Sequence, residues 1–516
     1  MALRGRKVIH IIQNCPAHLF GGRSHGYTQP YTLPQAIKKL ATGSLAETNG
    51  LRGADQGRIE ELVTNWRESP LSRWNHRQHM QDGRSHGKQR IWLRRARQFA
   101  GVSLILLGLV LLFWLRGALY NHFVRFSREE AAWQTLRTQR QLVADNAGWN
   151  EYRGILHSHS KYSHDSEVAF EDILRALKGA GLDFICLSDH PIAGRADFSL
   201  QWRGLHDGKL FIPGFEMKEG IMLFGVASDI VLSNQTDSAT LARQISKNGG
   251  LLFYAHPEEP RDWDRPKLVG MEIYNIHTDF KRSSGKPSAL VPDLLLNQGR
   301  YPEHVLRMMF SRPVDFLHHW DDLNRTRHIT GIAGNDCHQN VGFRGVYTPA
   351  STIRVEDTSP KTLKELKLNW FTRPLARLLF GPLQPDRKLF HIQLDPYERM
   401  ARYVNTHVLA RELSEPAILD ALRAGRVFVG FDMIADSSSF RWFAAAGTNQ
   451  TVMGELVPFS TGTRLRAMSP LPCRFTVLKD GSAVYQQGGR AADWMPPGPG
   501  KYRVEAELKV LGEWVP

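Results

Sequence analysis

Short apolar runs in the middle of the chain, each ending in polar side chains, constrain its fold more than any other feature. Stretches with helical periodicity separate several of these runs, as between Val168 and Leu177. Buried strands that alternate with helices predict an α/β fold with a parallel sheet covered on both faces. The runs with their polar ends occupy residues 154–159, 184–190, 211–216, 251–257, 271–275 and 328–338.

The polar ends of these runs carry the residue types that bind metal ions. Functional side chains at the carboxyl ends of many strands are typical of barrel enzymes. An open sheet would spread them along too wide a line, so we expect a closed or distorted (β/α) barrel of TIM-like form. Eight side chains are candidate metal ligands: His157, His159, Asp165, His190, Glu216, His256, Asp336 and His338.

The composition of this ligand set narrows the chemistry. His157 and His159 are two residues apart, so on a strand they point to the same face. A lone His-x-His pair is weak evidence for a metal site in a chain with 21 histidines. The ordered set of eight candidates is much stronger evidence. Histidines and carboxylates without cysteine favour Zn, Mn or Fe. Eight ligands are too many for one ion, so we expect two or three divalent ions, with a carboxylate bridging them.

The charge distribution and the cysteines give no support for a nucleic-acid site, a disulfide framework or a zinc ribbon. Residues 1–98 hold 17 Lys/Arg and 6 Asp/Glu, whereas the rest of the chain holds 49 and 45. The net charge of +15 therefore lies mostly ahead of the apolar runs, and it does not support a nucleic-acid partner for them. The four cysteines are scattered without a Cys-x-x-Cys pair, so the sequence suggests neither a disulfide framework nor a zinc ribbon.

The ordered motifs resemble a known family. The resemblance is close over residues 150–350 and looser up to residue 440. The Ser-His-Asp-Ser form at 163–166 is similar to the branch that includes carbaryl hydrolase. Five segments resemble, in the right order, the motifs of the PHP (polymerase and histidinol phosphatase) superfamily of metallohydrolases: 157–166, 187–190, 214–216, 255–257 and 334–338.

This resemblance implies a three-ion site on a distorted barrel and a hydrolase that uses a metal-bound hydroxide, most often on phosphoesters. It implies that Glu216 bridges the first ion to a second, which His256 also binds. His164, next to Asp165, could replace or assist that ligand in catalysis. The resemblance implies one ion held by His157, His159, Glu216 and Asp336, and another held by Asp165, His190 and His338.

The chain departs from the family pattern after Glu216. PHP proteins usually supply a further histidine there, but residues 218–225 contain none. The second ion could therefore be weakly bound, absent or completed by another residue. His277 is a candidate for that ligand or for a catalytic role, and an ordinary loop histidine is an equal alternative.

An apolar segment precedes the motifs. No charged residue occurs from Gln98 to Leu115, which is close to the length that spans a bilayer. A cleaved signal peptide fits less well, because Arg116 interrupts any cleavage site. The heavier basic flank lies at residues 88–97, so we expect a single-pass signal anchor with a cytoplasmic N-terminus and an exported, periplasmic or extracellular, catalytic domain.

These observations divide the chain into five regions. The start of translation stays open, since Met80 would also give a short basic head before the anchor. The Asp480-Gly481 pair between two apolar runs predicts a hairpin in the last region. We expect a basic, disordered region at 1–97, a transmembrane anchor at 98–118, a helical stalk at 119–149, the PHP-type domain at 150–445 and a small β-sandwich-like region, incomplete at its end, at 460–516.

Three functions follow from these expectations. The favoured one is a membrane-anchored phosphoesterase for a small-molecule ester or phosphoester. A nuclease is the second, although the near-neutral catalytic half lacks an obvious basic, aromatic groove. The third is a metal-binding sensor without turnover, suggested by the missing histidine. The retention of eight ligand candidates argues against a sensor.

Overall fold

The structure is a computed structural model that describes residues 70–143, 148–283, 287–357, 362–447 and 449–515. The expected disorder of residues 1–69 lies outside these ranges. Residues 70–97 do not form a separate coil, because a helix runs through them and into the apolar segment. The chain divides into two compact units, 1–110 and 111–516. The second unit carries the candidate site.

The helices, in chain order, are short except for the first. A π-turn at Asn121–Arg125 follows the first helix directly. The α-helices are α1 (Pro70–Tyr120), α2 (Phe126–Thr138), α3 (Phe170–Ala180), α4 (Ser238–Lys247), α5 (Ile276–Ser283), α6 (Pro287–Leu296), α7 (Pro302–Arg307), α8 (Val314–Thr326), α9 (Thr372–Phe380), α10 (Tyr397–Tyr403) and α11 (Glu415–Ala424).

The strands of the central part are mostly three to six residues long. They are β1 (Asn150–Ile155), β2 (Phe184–Cys186), β3 (Arg195–Asp197), β4 (Gly204–His206), β5 (Lys209–Ile212), β6 (Gly214–Met217), β7 (Ile221–Phe224), β8 (Val231–Ser233), β9 (Leu251–Tyr254), β10 (Leu268–Asn275), β11 (Thr330–Gly334), β12 (Gly342–Tyr347), β13 (Thr352–Glu356), β14 (Thr362–Lys367), β15 (Lys388–Gln393), β16 (Asn405–Ala410) and β17 (Val427–Gly430).

The strands of the C-terminal part are longer and antiparallel. They are β18 (Arg441–Ala446), β19 (Asn449–Val452), β20 (Arg464–Lys479), β21 (Ser482–Trp494), β22 (Tyr502–Val510) and β23 (Glu513–Val515).

Two mixed sheets build the central part. One has the order β17-β16-β1-β2-β5-β4 and the other β11-β10-β9-β7-β6. The pairs β1–β2, β2–β5, β9–β10 and β10–β11 are parallel, as expected from the alternating pattern, and the other pairs are antiparallel. Within the described ranges no sheet closes into a barrel, so the architecture is mixed α/β with several sheets and the expected barrel is not confirmed.

Single bridges join the two sheets beside the polar strand ends. Ser158 pairs with Cys337, and Asp189 pairs with Phe215, both in parallel orientation. The run predicted as one strand at 211–216 is divided at Pro213: β5 pairs with β2, whereas β6 belongs to the other sheet. Proline has no N–H to donate, which fits this break between two ladders.

Local signals that the sequence predicted are present. Helix α3 ends at Gly181, whose φ of 69° is left-handed and suits glycine at a helix end. The hairpin between β20 and β21 turns at Asp480 and Gly481, with φ of 50° and 86°. Both values are positive, as a tight hairpin turn requires. These two predictions are confirmed.

Helix α2 does not stand off the domain as a stalk. Phe126, Trp133 and Leu136 are buried on it, and the last two belong to the main hydrophobic core. The helix ends at Thr138, earlier than the predicted limit of 149. The apolar face of this helix is therefore buried against the central part of the chain.

The C-terminal region also differs from the expectation. Its strands form a single six-stranded sheet, not a small sandwich. The sheet begins at Arg441, because β18 pairs antiparallel with β20, so the expected boundary at 460 is too late. Val510 of β22 is part of the main core, which ties this sheet to the central part.

Helix α1 contains the apolar segment. The helical stretch Trp92–Thr138 is long and apolar enough to cross a membrane, with a mean hydropathy of 2.3 in its most apolar window. None of that window is buried. The segment is therefore not packed as a core helix of the described chain.

Candidate metal centre

The predicted ligands lie at the ends of strands from both sheets. His157 and His159 follow β1, His256 follows β9, and Asp336 and His338 follow β11. Glu216 lies within β6, and the bridge between Asp189 and Phe215 brings it close to His190 after β2. The two seams between the sheets thus gather residues that are far apart in sequence.

A carboxylate pair occupies the middle of the cluster. The Oε2 atom of Glu216 lies 3.1 Å from His157 Nε2 and 3.8 Å from His159 Nε2. The Oδ1 atom of Asp336 lies 3.2 Å and 3.3 Å from the same two nitrogens. His256 Nε2 is 3.6 Å from the other oxygen of each carboxylate. Both carboxylates therefore lie between the imidazoles of His157, His159 and His256.

A second group lies beside this pair. His338 Nε2 and His190 Nε2 are 3.0 Å and 3.4 Å from Asp165 Oδ2. The ring of His159 stacks on that of His338, with centroids 3.9 Å apart. The ligand atoms of His159, Asp165, His190 and His338 all lie within 4.8 Å of one another. The structure thus brings together the three residues expected for one ion and adds His159.

The fit of these residues to divalent ions rests on buried polar atoms without a hydrogen bond. Within the described part of the chain, His159 Nε2 and Asp336 Oδ1 are buried and make no well-aligned hydrogen bond, although Asp336 Oδ1 contacts the nitrogens of both His157 and His159. These two atoms are only 3.3 Å apart. A buried polar atom without a partner costs about 1–3 kcal/mol. A divalent ion bound by a lone pair of His159 Nε2 and one of Asp336 Oδ1 would remove this cost. The residues therefore fit a metal site.

The electrostatics of the cluster are those of carboxylates enclosed by imidazoles. Burial raises the pKa of Glu216, but the charge and hydrogen bond of His157, together with the charges of His256 and His159, lower it to about 2. Burial lowers the pKa of His338, whereas the charges of Asp336 and Asp165 raise it to about 9. Burial, followed by the charge of His338, lowers the pKa of His159 to about 3.

Metal binding to this cluster must therefore displace protons. Imidazole binds a metal ion only in its neutral form. The carboxylate of Asp336 raises the pKa of both His157 and His338 despite their burial. We expect the affinity for divalent ions to fall as the pH falls, because protons compete for the same nitrogen atoms.

The two candidate catalytic histidines, His164 and His277, differ in their position relative to the cluster. His277 Nδ1 is 3.5 Å from Asp336 Oδ2, and His277 groups with Asp336 and His338. Its side chain is half-buried at the edge of the cluster. His164 is exposed, and its ring centroid lies 4.9 Å from that of His190. His277 is thus at the cluster, whereas His164 lies outside the groups that could hold an ion.

Sequence reasoning missed Glu272, which is fully buried on β10. Its Oε1 accepts a hydrogen bond from His157 Nδ1 at 2.6 Å, and its Oε2 accepts one from the backbone N–H of His256 at 2.8 Å. A carboxylate behind a ligand histidine fixes the ring and its tautomer. The signal that could have identified it is a glutamate inside a mostly apolar strand.

Asp189 and Glu258 were also missed as supporting residues. Asp189 accepts hydrogen bonds from the hydroxyl of Ser160 at 2.8 Å and the amide of Gln201 at 2.7 Å. Burial raises the pKa of Asp189 above its usual value. Glu258 Oε1 lies 3.4 Å from His256 Nδ1 on the side away from the carboxylate pair. These contacts hold the loops that carry the ligands.

Two cluster residues have a strained backbone. His256 and Asp336 have φ of 50° and 53°, in the left-handed region that non-glycine residues rarely adopt. Such strain costs about 1–3 kcal/mol per residue and is concentrated at functional sites. Each of these two residues follows a buried strand closely, so the turn redirects its side chain toward the cluster.

A separate cavity of about 920 Å³ shares no lining residue with the cluster. Arginines and carboxylates line it, and several are already paired. Arg137 donates to the backbone carbonyl oxygens of Ile434 and Met433, and Arg402 donates to Glu303. The cavity lacks the unpartnered ligand atoms of the cluster, so the chemistry is assigned to the cluster.

Comparisons with known proteins add little to this geometry. No family model matches the chain, and no curated protein matches it significantly. One solved structure, a two-domain protein from Bacteroides vulgatus containing a predicted PHP-like metal-dependent phosphoesterase, is 14% identical with a TM-score of 0.31. The alignment covers 71% of this chain and 88% of that one. A likeness of this degree fixes neither fold nor activity. The interpretation as a candidate metal site therefore rests on the geometry of the side-chain cluster.

Proposed function

We propose that the chain is a membrane-anchored, divalent-metal-dependent hydrolase of PHP type, acting as a phosphoesterase at the histidine–carboxylate cluster. The observation that carries this proposal is the buried pair His159 Nε2 and Asp336 Oδ1, 3.3 Å apart among further ligands and without a well-aligned hydrogen bond. A structural core would pair such atoms with protein donors and acceptors.

The residues divide the work at this site. Divalent ions bound there would polarise a phosphoryl or carbonyl oxygen and activate water for attack. Glu216 and Asp336 would each contact two ions, and Glu272 holds His157 in the orientation that presents Nε2 to the cluster. His277 lies at the partly exposed edge, where it can exchange a proton with the leaving group and with solvent.

The ion count stays a proposal of two or three Zn, Mn or Fe ions. Four overlapping groups of ligand atoms share Asp336, His157, His159 or His338 between them. Shared ligands are what closely spaced ions require. His277 groups with Asp336 and His338, so it could add a ligand on that side of the cluster.

The proposal includes a distorted barrel as the architecture and the carbaryl hydrolase branch as the part of the family that the chain resembles. The bridges at Ser158–Cys337 and Asp189–Phe215 link the two sheets on both sides of the cluster, which supports a distorted barrel. The resemblance to the carbaryl hydrolase branch favours a small ester or phosphoester as substrate. A nucleic-acid substrate is disfavoured by the near balance of charge after residue 98.

The proposed location follows from α1. Its apolar window would cross the bilayer, and the basic residues at 88–97 would keep the N-terminal side in the cytoplasm. The catalytic part would then act in the periplasm or outside the cell. Protease protection of the full chain in oriented membrane vesicles tests this orientation.

The test of the hydrolase proposal compares two buried aspartates. Asp336→Asn keeps the volume at the cluster but removes a charged ligand. Asp321→Asn is the matched control, because Asp321 is equally buried but pairs with Arg503 away from the cluster. Metal content by elemental analysis and hydrolysis of an aryl phosphate are measured on the full chain in detergent.

We expect two or three ions per wild-type chain and loss of both metal and hydrolysis in Asp336→Asn alone. Bound metal without turnover of any ester would support the sensor instead. A wild-type protein that takes up no Zn, Mn or Fe after reconstitution would refute the proposal.

A further inference from the structure

An insert follows His338 directly and carries an unusual exposed surface. Strands β12–β15 form a four-stranded antiparallel sheet, and α9 lies between β14 and β15. The insert is tied to the loop of the first motif, because Asn340 Nδ2 donates to the backbone oxygen of Asp165 at 3.0 Å. The position of this insert is therefore coupled to the position of the cluster.

Helix α9 presents large apolar side chains outward. Only Ala376 is buried on this helix, where it packs into the small core of the insert. Phe371, Leu375 and Leu378 are spaced by four and three residues, so they share one helical face, and all are exposed. Trp370 is 85% exposed and Leu378 is 81% exposed. An amphipathic helix normally buries such a face, and here the buried side is the one with alanine.

The charge around this face is positive. Residues 369–380 contain Arg373 and Arg377 but no Asp or Glu. Strand β14, which precedes the helix in sequence, carries the exposed Lys364, Glu365 and Lys367 and so adds one net positive charge. Aromatic and leucine side chains surrounded by arginine and lysine are typical of helices that lie in the headgroup region of a bilayer.

We propose that residues Trp370–Phe380 dock into the surface of an anionic lipid bilayer and hold the insert, with the cluster beside it, at that surface. Two independent observations point to lipid. The exposed face combines an aromatic–leucine surface with positive charge, which complements anionic headgroups. The same chain has a helix long and apolar enough to cross a membrane, so a bilayer is within its reach.

The test places a nitroxide spin label on the full chain in proteoliposomes. The label is attached to Leu378→Cys, and Leu456→Cys is the control. Leu456 is also a fully exposed leucine, 97% accessible, but residues 449–463 contain no Lys or Arg. Cys186, Cys337 and Cys473 are buried, and Cys15 is replaced by serine in every variant. Collisions with oxygen report lipid, and collisions with a water-soluble nickel chelate report water.

We expect the label at 378 to collide more with oxygen than with the nickel chelate, and the label at 456 to do the reverse. The lipid contact should be stronger in phosphatidylcholine vesicles that contain phosphatidylglycerol than in phosphatidylcholine alone. Adding Arg373→Gln and Arg377→Gln should weaken the docking equilibrium by about fivefold per arginine.

Two results would overturn the proposal. Nickel-chelate access at 378 equal to that at 456 would show a face left in water. Protection from both reagents would show contact with protein, such as a second copy of the chain. Docking and hydrolysis are measured separately on the same labelled protein. Its metal content and aryl phosphate hydrolysis should equal those of wild type, whether or not the helix docks. Failure of docking and failure of the hydrolase proposal are thus distinguished.

Discussion

Glu272 offers the sharpest test of how the cluster is held. It is fully buried, and it makes three hydrogen bonds: with His157 Nδ1 at 2.6 Å, with the backbone N–H of His256 at 2.8 Å and with Asn275 Nδ2 at 2.9 Å. All three of these partners are donors. In Glu272→Gln the side-chain amide must turn its NH₂ group toward one of them, so at least one hydrogen bond is lost at nearly constant volume.

The expected effect is on metal affinity. A carboxylate behind a ligand histidine raises the basicity of the ring and fixes its orientation, and its loss typically weakens metal binding 10- to 100-fold. This corresponds to about 1.4–2.7 kcal/mol of binding free energy. The folded state also loses a hydrogen bond, so a smaller decrease in thermal stability of the metal-free protein should accompany it.

The assay is titration of the metal-free full chain with Zn²⁺ or Mn²⁺ against a competing chelator. Glu507→Gln is the matched control, since Glu507 is buried but pairs with Arg474 in the C-terminal sheet. The effect of Glu272→Gln should shrink in a His157→Ala background, because the two side chains act as a unit. Unchanged affinity in a folded Glu272→Gln protein would refute this account of the site.

Two further predictions concern stability. Burial lowers the pKa of His407, but Asp432 and Glu151, at 2.9 Å and 2.8 Å from its ring nitrogens, raise it to about 9. Because the pKa of His407 is higher in the folded than in the unfolded state, protonation of this residue stabilises the fold. The full stabilisation is present below pH 6.5, and it is lost as the pH rises through about 9. The excess free energy of unfolding of wild type over His407→Gln should therefore fall by about 3 kcal/mol across that window, measured by denaturant titration; a constant difference would contradict it. In Gly334→Ala the new Cβ would collide with the carboxylate of Glu272, so we expect a loss of about 1–3 kcal/mol and less bound metal, measured by calorimetry and elemental analysis. An unchanged melting temperature with full metal content would show that the carboxylate can move aside.

Much of the site could be predicted because its signals are local. Alternating apolar and ligand residues identify strand ends, and the structure brings all eight candidate ligands into one cluster. Gly181 and Gly481 mark turns that require positive φ, a property of the residue itself. These features depend on the few residues around each position, so a sequence pattern is enough to detect them.

The remainder depends on contacts between residues far apart in sequence. The antiparallel strand β16 lies beside β1, and the strands on either side of Pro213 join different sheets; the choice of partner strand has no local pattern. Glu272 lies against His157, 115 positions away in the sequence, and no local pattern marks that contact. The sequence by itself identified the candidate metal ligands and the apolar runs that precede them. The tertiary structure decided which strands pair and which carboxylates support the ligands, because those choices depend on burial and hydrogen bonding across the whole core.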